Sequence, residues 1–227
     1  MDSPFERRIV ETADGSYTFE LIGKKEHYHS TFGAVQEGLH IFIRNGLHCF
    51  AGKSNTINIL EVGFGTGLNT LLTLLDAMRL NLRVAYLALE PFALEPSEYK
   101  MLNYAMVLNQ SGLLEEFLRF HESEWNMDIE IMPGFVFRKE KTGLQNALLP
   151  ENFFDLVYFD AFGPDTQPEL WTQGMFEKVG KAMLPGAILT TFCVRGSVRR
   201  AMQASGFEVL KLPGPLGKRE MTRALKL

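Results

Sequence analysis

The feature that most constrains the fold is the segment INILEVGFGTGLNTLLTLLDA at residues 57–77. An apolar run typical of a strand ends in a turn with three glycines at alternate positions, and a leucine-rich run at helical spacing follows. The same order recurs at RVAYLALE before PSEYKMLNYAMVL, and at FFDLVYFDAF before PELWTQGMFEKVGKAML. This alternation predicts a mostly parallel sheet covered by helices on both faces.

Both ends of the chain add further β structure to this pattern. Two short β-type runs flank Asp14-Gly15, which predicts an N-terminal hairpin. The following segment predicts a helix that is capped by Ser30 or Thr31 and ends near Gly46. After the strand AILTTFCV come the helix GSVRRAMQAS and two β-type runs, GFEVLKL and KREMTRALKL, which predict a closing hairpin with a reversed strand. We expect residues 1–50 to form a hairpin and helix extension packed on a core domain at residues 51–227.

Composition limits the class of protein. A chain of 227 residues with 46% apolar content can bury one sizeable core. We expect a soluble, cytoplasmic protein with no membrane partner, because no apolar run is long enough to span a bilayer and the N-terminus lacks a signal-type apolar segment. Two cysteines, Cys49 and Cys193, and five histidines without metal-ligand spacing predict free thiols and no metal.

The net charge of −4 is unevenly distributed. From Arg195 to the C-terminus, eight lysines and arginines stand against two glutamates, so this end carries +6 and the first 194 residues carry −10. A basic end of this kind is either a solvated face or a surface that contacts nucleic-acid phosphates.

The spacing of the glycines distinguishes among cofactors. A dinucleotide fingerprint has glycines at the first, third and sixth positions, but counting from Gly63 the sixth position is Leu68, and Gly67 comes at the fifth. Glu61, two residues before the first glycine, ends the strand with a carboxylate that we expect to point at the ligand. This acid would repel a pyrophosphate and suits a cofactor with a cationic amino-acid end. The turn therefore favours S-adenosylmethionine over NAD, with an NAD oxidoreductase and a purely structural turn as alternatives.

Two more acids follow strand ends. Glu90 comes about twenty residues after the glycines, where it can accept both ribose hydroxyls of an adenosine, although a capping or solvent-facing acid fits the same position. Asp160 ends a buried strand, where it can orient an amine and take its proton, and Phe162 can stack on a base. An acid followed by an aromatic residue at a strand end is typical of methylation at nitrogen.

The sequence resembles, over about residues 9–225, the methyltransferase domains of the bacterial tRNA 5-methylaminomethyl-2-thiouridine biosynthesis bifunctional proteins (the MnmC family). The matching segments are ETADGSYT, YHSTFGAVQE, EVGFGTGLN, DAFGPDTQPELWTQGMF, LPGAILTTFCVRGSVRRAMQASGFEV and GPLGKREM. The resemblance implies a class I S-adenosylmethionine-dependent methyltransferase fold, Rossmann-like, mostly parallel and with a reversed C-terminal strand. It also implies N-methylation of the 5-aminomethyl group on the wobble (2-thio)uridine of tRNA, giving 5-methylaminomethyl.

The resemblance further implies a role for individual residues. Asp160 would be the catalytic residue beside the acceptor amine. The cofactor-binding residues would be Tyr28, His29, Glu61, Gly63, Phe64, Gly65, Thr66, Gly67, Asn69 and Glu90. The acceptor pocket would be shaped by Phe162, Pro164 and Trp171, and the anticodon arm of the tRNA would be held by Arg199, Arg200, Lys218 and Arg219.

The chain departs from the family pattern in three places. It has no segment that matches the family's FAD-dependent oxidase domain, so we expect no FAD and a separate enzyme that supplies the aminomethyl substrate. Residues 136–148 lack the aspartate that the family places against the adenine, and Gln167 stands where the family has asparagine, with Gly163 and Asp165 also different. A methyltransferase acting on another amine, of a small molecule or a protein, and a non-catalytic RNA-binding module therefore remain alternatives.

Overall fold

The computed structural model describes residues 5–227, which form two β-sheets and seven α-helices. The smaller sheet is antiparallel and contains β1 (Arg7–Glu11), β2 (Tyr17–Leu21) and β3 (Glu26–His27). β1 and β2 form the predicted hairpin, and Gly15 in its turn has a φ of 79°. The N-terminal hairpin is therefore confirmed, with β3 as an additional short strand.

The larger sheet has eight strands in residues 5–227, in the order β10-β11-β9-β8-β4-β5-β7-β6. Its strands are β4 (Thr56–Val62), β5 (Arg83–Leu89), β6 (Ile129–Met132), β7 (Phe135–Glu140), β8 (Phe154–Phe159), β9 (Met183–Thr191), β10 (Phe207–Pro213) and β11 (Glu220–Lys226). The five central strands from β9 to β7 are parallel, and the antiparallel strands lie at the two edges. The predicted mostly parallel sheet with a reversed C-terminal strand is confirmed.

The helices connect these strands. They are α1 (Ala34–Gly38), α2 (Leu68–Leu80), α3 (Pro96–Tyr99), α4 (Tyr104–Val107), α5 (Leu114–Glu122), α6 (Gln173–Ala182) and α7 (Gly196–Ala204). A π-helix at Leu39–Arg44 continues α1, and a 3-10 helix at Pro168–Trp171 precedes α6.

Strand β4 contributes side chains to two hydrophobic clusters, one on each face of the sheet. Ile57 and Ile59 belong to the cluster that contains residues of α2, whereas Leu60 and Val62 belong to the cluster that contains residues of α6 and α7. Because side chains alternate along a strand, Glu61 lies on the same face as Ile59 and therefore faces α2. This alternation places a carboxyl group inside the packed layer between strand and helix.

The start of α1 differs from the prediction. The helix begins at Ala34, and neither Ser30 nor Thr31 caps it. Instead, the Asp14 side chain in the hairpin accepts a hydrogen bond from the Gln36 backbone N–H at 3.0 Å. A capping group that comes from a distant part of the chain replaces the local one, so the proposed Ser30 or Thr31 cap was wrong.

Candidate functional site

A cavity of about 780 Å³, here called the main cavity, lies at the carboxyl ends of β4, β5 and β8. β4 lies between β5 and β8 in the sheet, so the chain changes direction across the sheet at this point, and ligands of doubly wound folds bind there. The volume is within the roughly 300–1,000 Å³ range of small-molecule sites. The predicted site residues in its wall are Tyr28, His29, Gly63, Phe64, Gly65, Thr66, Glu90, Asp160, Phe162 and Lys218.

The glycine turn needs its glycines for conformation and for space. Gly63, Gly65 and Gly67 all have positive φ, at 96°, 50° and 74°, which residues with a Cβ rarely adopt. A Cβ on Gly63 would lie 2.7 Å from the Asp160 backbone oxygen, so the turn passes directly beside the end of β8. The turn thus brings the start of α2 against the strand that carries Asp160.

Glu90 joins the glycine turn to the end of β5. Its carboxylate accepts hydrogen bonds from the backbone N–H of Gly65 at 2.8 Å and of Phe92 at 2.7 Å. Burial raises its pKa, while these two N–H donors act in the opposite direction. Because the two backbone donors fix its orientation, Glu90 presents a preorganised acceptor in the cavity wall.

Behind the main cavity, one amide nitrogen connects two carboxyl groups. The Nδ2 of Asn69 donates to Glu61 at 3.0 Å and to Asp160 at 2.8 Å, and the Thr70 hydroxyl donates to the other oxygen of Glu61 at 3.1 Å. Burial and the charge of Asp160 raise the pKa of Glu61 to about 8, and burial and the nearby Glu37 carboxylate raise the pKa of Asp160 to about 7. Asp160 therefore changes its charge near neutral pH.

Glu61 does not point into the main cavity, in contrast to the orientation expected from its sequence position. Its side chain is fully buried, and it contacts Asn69 and Thr70 of α2. Gly67 and Asn69 also lie outside the cavity wall. These three residues support the wall from behind, and their predicted contact with a cofactor stays a prediction.

Two histidines, the buried His29 and the half-buried His121, hold Thr66 in the middle of the glycine turn. His29 Nε2 lies 2.6 Å from the Thr66 hydroxyl, and His121 Nε2 lies 3.1 Å from the Thr66 backbone oxygen. Burial lowers the pKa of His29 to about 4 and that of His121 to about 3, so both rings are neutral at pH 7. Because a carbonyl oxygen only accepts, His121 carries its proton on Nε2 and donates it to the turn.

The N-terminal extension closes one side of the main cavity. The Tyr28 hydroxyl accepts a hydrogen bond from Arg7 Nε at 2.7 Å, and Arg7 pairs with Glu98 at 3.0 Å. The rings of Tyr28 and Phe5 each contact Phe162 edge to face, with centroids 4.8 and 5.4 Å apart. Contacts from the N-terminal extension therefore fix the aromatic wall on the Asp160 side.

The loop after β8 is held in place by its own side chains. Trp171 is 5% exposed, and its indole N–H donates to the Phe162 backbone oxygen at 2.8 Å. The Gln167 side chain accepts from the Phe162 backbone N–H at 3.0 Å. Trp171 thus lies behind the wall and shapes it indirectly, whereas Pro164 lines a neighbouring second cavity.

The structure separates the four predicted tRNA-binding residues. Lys218 lines both cavities and pairs with Glu37 at 2.6 Å, and Arg219 lines the second cavity. Arg199 and Arg200 lie on α7, outside the walls of both cavities.

Several cavity residues were not named among the site residues predicted from the sequence. Thr142, Gly143, Gln145 and Asn146 follow β7 and line the main cavity. Their position in the cavity wall could have been predicted, because β7 is a parallel strand and this polar segment comes directly after it. His121 gave no such signal, since it lies on an amphipathic helix away from every motif.

Comparison with known proteins identifies the family. The family model described as S-adenosyl-L-methionine-dependent methyltransferase matches residues 107–227. The chain belongs to this methyltransferase family. Two bifunctional proteins named for tRNA 5-methylaminomethyl-2-thiouridine biosynthesis (MnmC) are similar to it. The one from Ralstonia nicotianae is 31% identical over 210 residues, which cover 87% of this chain and 31% of the relative. The one from Idiomarina loihiensis is 32% identical over 209 residues, which cover 86% of this chain and 34% of the relative. The chain therefore spans about a third of the length of these relatives.

Solved structures agree with the family assignment of this methyltransferase. MnmC2 from Aquifex aeolicus superposes with a TM-score of 0.76 at 26% identity, covering 99% of this chain and 72% of that one. A spermidine synthase in complex with the transition-state analogue AdoDATO has a TM-score of 0.57 at 12% identity, covering 100% and 70%, and this likeness concerns the fold alone. The resemblance inferred from the sequence motifs is confirmed. Within residues 5–227, no helix has the length and apolar character needed to cross a membrane.

The residues of the main cavity fit the cofactor of a methyltransferase. The turn leaves space that a side chain would fill, since a Cβ on Gly65 would lie 3.1 Å from the Tyr28 ring. Glu90 offers a fixed carboxylate acceptor for hydroxyl groups, and Phe64 adds an aromatic side chain to the wall. A bare glycine turn, an oriented acid and a cavity of this volume match the needs of an adenosine-containing ligand.

Proposed function

We propose that this methyltransferase transfers a methyl group from S-adenosylmethionine to the nitrogen of the 5-aminomethyl group on the wobble (2-thio)uridine of tRNA, giving 5-methylaminomethyl. One observation carries the proposal: a carboxyl group with a pKa of about 7, Asp160, lies in the cavity wall directly beside the glycine turn. The names of the relatives support the choice of acceptor, because they refer to synthesis of this modified uridine in tRNA.

The cofactor would be held by the glycine turn and by Glu90. The turn, Gly63 to Gly67, offers a close approach to the backbone, and Glu90 would accept from the ribose hydroxyls. Tyr28 and His29 would cover the cofactor from the N-terminal side, and Thr142 to Asn146 would lie near the base in place of the family's aspartate. When bound, S-adenosylmethionine supplies an electrophilic methyl group on a sulfonium centre.

Asp160 would act on the acceptor amine. An amine is nucleophilic only when its nitrogen lone pair is free, so a carboxylate that orients the nitrogen and takes its proton promotes the transfer. A pKa near 7 suits this role, because an appreciable fraction of Asp160 is ionised at neutral pH. The amine nitrogen would form its bond to the methyl carbon as the bond between that carbon and sulfur breaks, leaving a neutral thioether. The amine proton would pass to Asp160, directly or through water.

The aromatic side chains would hold the base of the acceptor. Phe162 is half-buried in the cavity wall, and its backbone is fixed by Gln167 and Trp171. A ring in this position can stack on a nucleobase that has been turned out of its strand. Positioning of the amine beside Asp160 would then supply much of the rate enhancement.

The basic C-terminal part would contact the anticodon arm of the tRNA. Lys218 and Arg219 belong to the turn between β10 and β11 at the edge of the cavities, and Arg199 and Arg200 would contact phosphates farther away. We propose that a separate enzyme supplies the aminomethyl substrate.

The deciding experiment is nucleoside mass analysis of tRNA that carries 5-aminomethyl-(2-thio)uridine, after incubation with the protein and S-adenosylmethionine. We expect one added methyl group at the wobble uridine, formed far more slowly with the Asp160→Asn variant. Methylation of small molecules or proteins but not of tRNA would favour a different acceptor amine. Binding of tRNA without methyl transfer by the wild type would favour a non-catalytic module.

A further inference from the structure

A second cavity of about 660 Å³ opens beside the main cavity. The two cavities share Glu26, Phe192 and Lys218 in their walls. The remaining lining residues come from the loop after β8, from the segment between β9 and α7, and from the ends of β10 and β11: Gly163, Pro164, Asp165, Cys193, Val194, Arg195, Lys211, Arg219 and Glu220. A ligand that fills the main cavity therefore has room to continue into the second one.

The charges of the second cavity leave one cation available. Arg195 pairs with Asp165, Lys211 pairs with Glu220 at 2.9 Å, and Lys218 pairs with Glu37 at 2.6 Å. Arg219 is exposed and forms no salt bridge with any acid in residues 5–227. Its charge acts on Glu220, which pairs with Lys211, but its N–H groups donate to no acid in the described residues and are available to a ligand. Guanidinium groups bind phosphate through two parallel hydrogen bonds.

The turn that carries Arg219 is braced. The Gly214 backbone N–H donates to the Arg219 backbone oxygen at 3.1 Å, and the His40 ring forms a hydrogen bond with the Pro213 backbone oxygen at 2.8 Å. Gly217 has a φ of 82° and packs against the ring of Phe32, leaving no space for a Cβ. A braced turn fixes the position of the Arg219 backbone relative to the main cavity.

We propose that the second cavity binds the nucleotide next to the methylated one, with the phosphate between the two nucleotides on Arg219. The proposal rests on the proposed function, because only a polymeric substrate must leave the main cavity as a continuing strand. A uridine whose amine reaches Asp160 is bonded on both sides to further nucleotides. The second cavity adjoins the main cavity through shared wall residues and offers the free cation that a phosphodiester needs.

The test combines a protein change with a change at one phosphate. Binding is measured first for a short RNA of the anticodon-loop sequence. It is then measured for two variants of this RNA, each with an uncharged methylphosphonate in place of one of the two phosphates that flank the wobble uridine. For the wild type, we expect one of the two substitutions to weaken binding about tenfold. For Arg219→Ala, the unmodified RNA should bind about tenfold more weakly, and the same methylphosphonate should have almost no further effect. The slope of log K against log salt concentration should be less steep by about 0.7 for Arg219→Ala than for the wild type.

The matched control is Arg83→Ala, which removes an exposed arginine at the amino end of β5, whereas the main cavity lies at the carboxyl ends of the strands. This variant should keep both the RNA affinity and the sensitivity to methylphosphonate. If the effects of Arg219→Ala and of each methylphosphonate are additive, the subsite assignment is overturned while the proposed function stands. If the wild type methylates no tRNA, the proposed function fails, and the subsite assignment fails with it.

Discussion

Asn69, the second residue of α2, donates a hydrogen bond from Nδ2 to the Asp160 carboxylate at the end of β8, at 2.8 Å. The same nitrogen lies 3.0 Å from Glu61, which is fully buried. The helix that follows the glycine turn is thus fixed to the acid that we assign to the acceptor. A shift of the turn would move this contact, so the two halves of the proposed site share one hydrogen-bonded support.

Replacing Asn69 with Leu should shift the pH dependence of methyl transfer. The hydrogen bond from Asn69 favours the ionised form of Asp160, so its loss raises the pKa of Asp160 above its present value of about 7. Because the proposed mechanism needs the carboxylate, the rising limb of the kcat profile should move to higher pH. Measurement of kcat from pH 6 to pH 9 tests this, with Thr70→Val, which removes a contact to Glu61 and leaves the hydrogen bond from Asn69 to Asp160 in place, as the control. Superimposable profiles for Asn69→Leu and wild type would contradict the assignment.

Replacing Asp160 with Asn should reduce catalysis far more than cofactor binding. The amide has nearly the same shape but does not take a proton, so kcat should fall by roughly 10²- to 10⁴-fold. The Kd for S-adenosylmethionine, measured by calorimetry, should change much less, because Glu90 and the glycine turn are untouched. An unchanged kcat would remove Asp160 from the mechanism, and an equal loss in both quantities would make it a binding residue.

Much of the fold could be predicted from the sequence because its strands and helices have clear hydrophobic periods. The glycine turn, the parallel core and the terminal hairpin all follow from such local patterns. The edge strand β6, at Ile129–Met132, was missed because it is only four residues long. The cap of α1 was missed for another reason, since Asp14 reaches Gln36 only in the folded chain.

The candidate site could be predicted where a residue both follows a parallel strand and belongs to a motif. Asp160 meets both conditions and Glu90 meets the first, and both line the main cavity. Glu61 ends a strand too, but the alternation of β4 turns it toward α2 and away from the cavity. His121 is brought to the turn by tertiary packing alone, against Phe64 and Tyr99, with ring centroids 5.0 and 4.5 Å apart. Sequence spacing carries no information about such a contact.

Replacing Glu90 with Gln should weaken cofactor binding. An amide offers only one acceptor oxygen, so its NH₂ group would face one of the two backbone N–H groups that Glu90 now satisfies. We expect the Kd for S-adenosylmethionine to rise about tenfold or more, since a buried donor is left without its partner. Glu124→Gln, an exposed acid on the chain after α5, is the control. Equal affinities for Glu90→Gln and wild type would exclude Glu90 from the cofactor site.

Replacing Gly63 with Ala should destabilise the protein more than replacing Gly52 with Ala. Both glycines have positive φ, 96° and 73°, so both variants lose about 1 kcal/mol or more from backbone strain. Gly52 has no neighbouring atom within 4 Å of a built Cβ, whereas at Gly63 the Cβ would collide with the Asp160 backbone oxygen at 2.7 Å. Urea unfolding should show the larger loss for Gly63→Ala, and equal losses would mean that the turn and the end of β8 are not in close contact.

The histidines that hold Thr66 should make the fold sensitive to acid. The folded-state pKa values of about 4 for His29 and about 3 for His121 lie below the ordinary value of 6.5. Between each folded-state pKa and 6.5, the unfolded state binds more protons than the folded state, so the free energy of unfolding falls as pH decreases below 6.5. The charged and titratable groups around them are Glu37, Asp14 and Lys218 for His29, and Lys139 for His121. The loss for His29 alone would approach about 3 kcal/mol below pH 4.

Comparison of wild type with His121→Gln isolates this contribution from that of Glu61. The folded-state pKa of Glu61, about 8, lies above its ordinary value of 4.5, so Glu61 makes the fold less stable as pH rises across that interval, opposite in sign to the histidines. Glu61 is present in both proteins, and its effect cancels in the difference. Urea unfolding at pH 8 and pH 5 should show that the stability deficit of His121→Gln is larger at pH 8 than at pH 5. A deficit that does not change with pH would mean that His121 does not stay neutral in the folded protein.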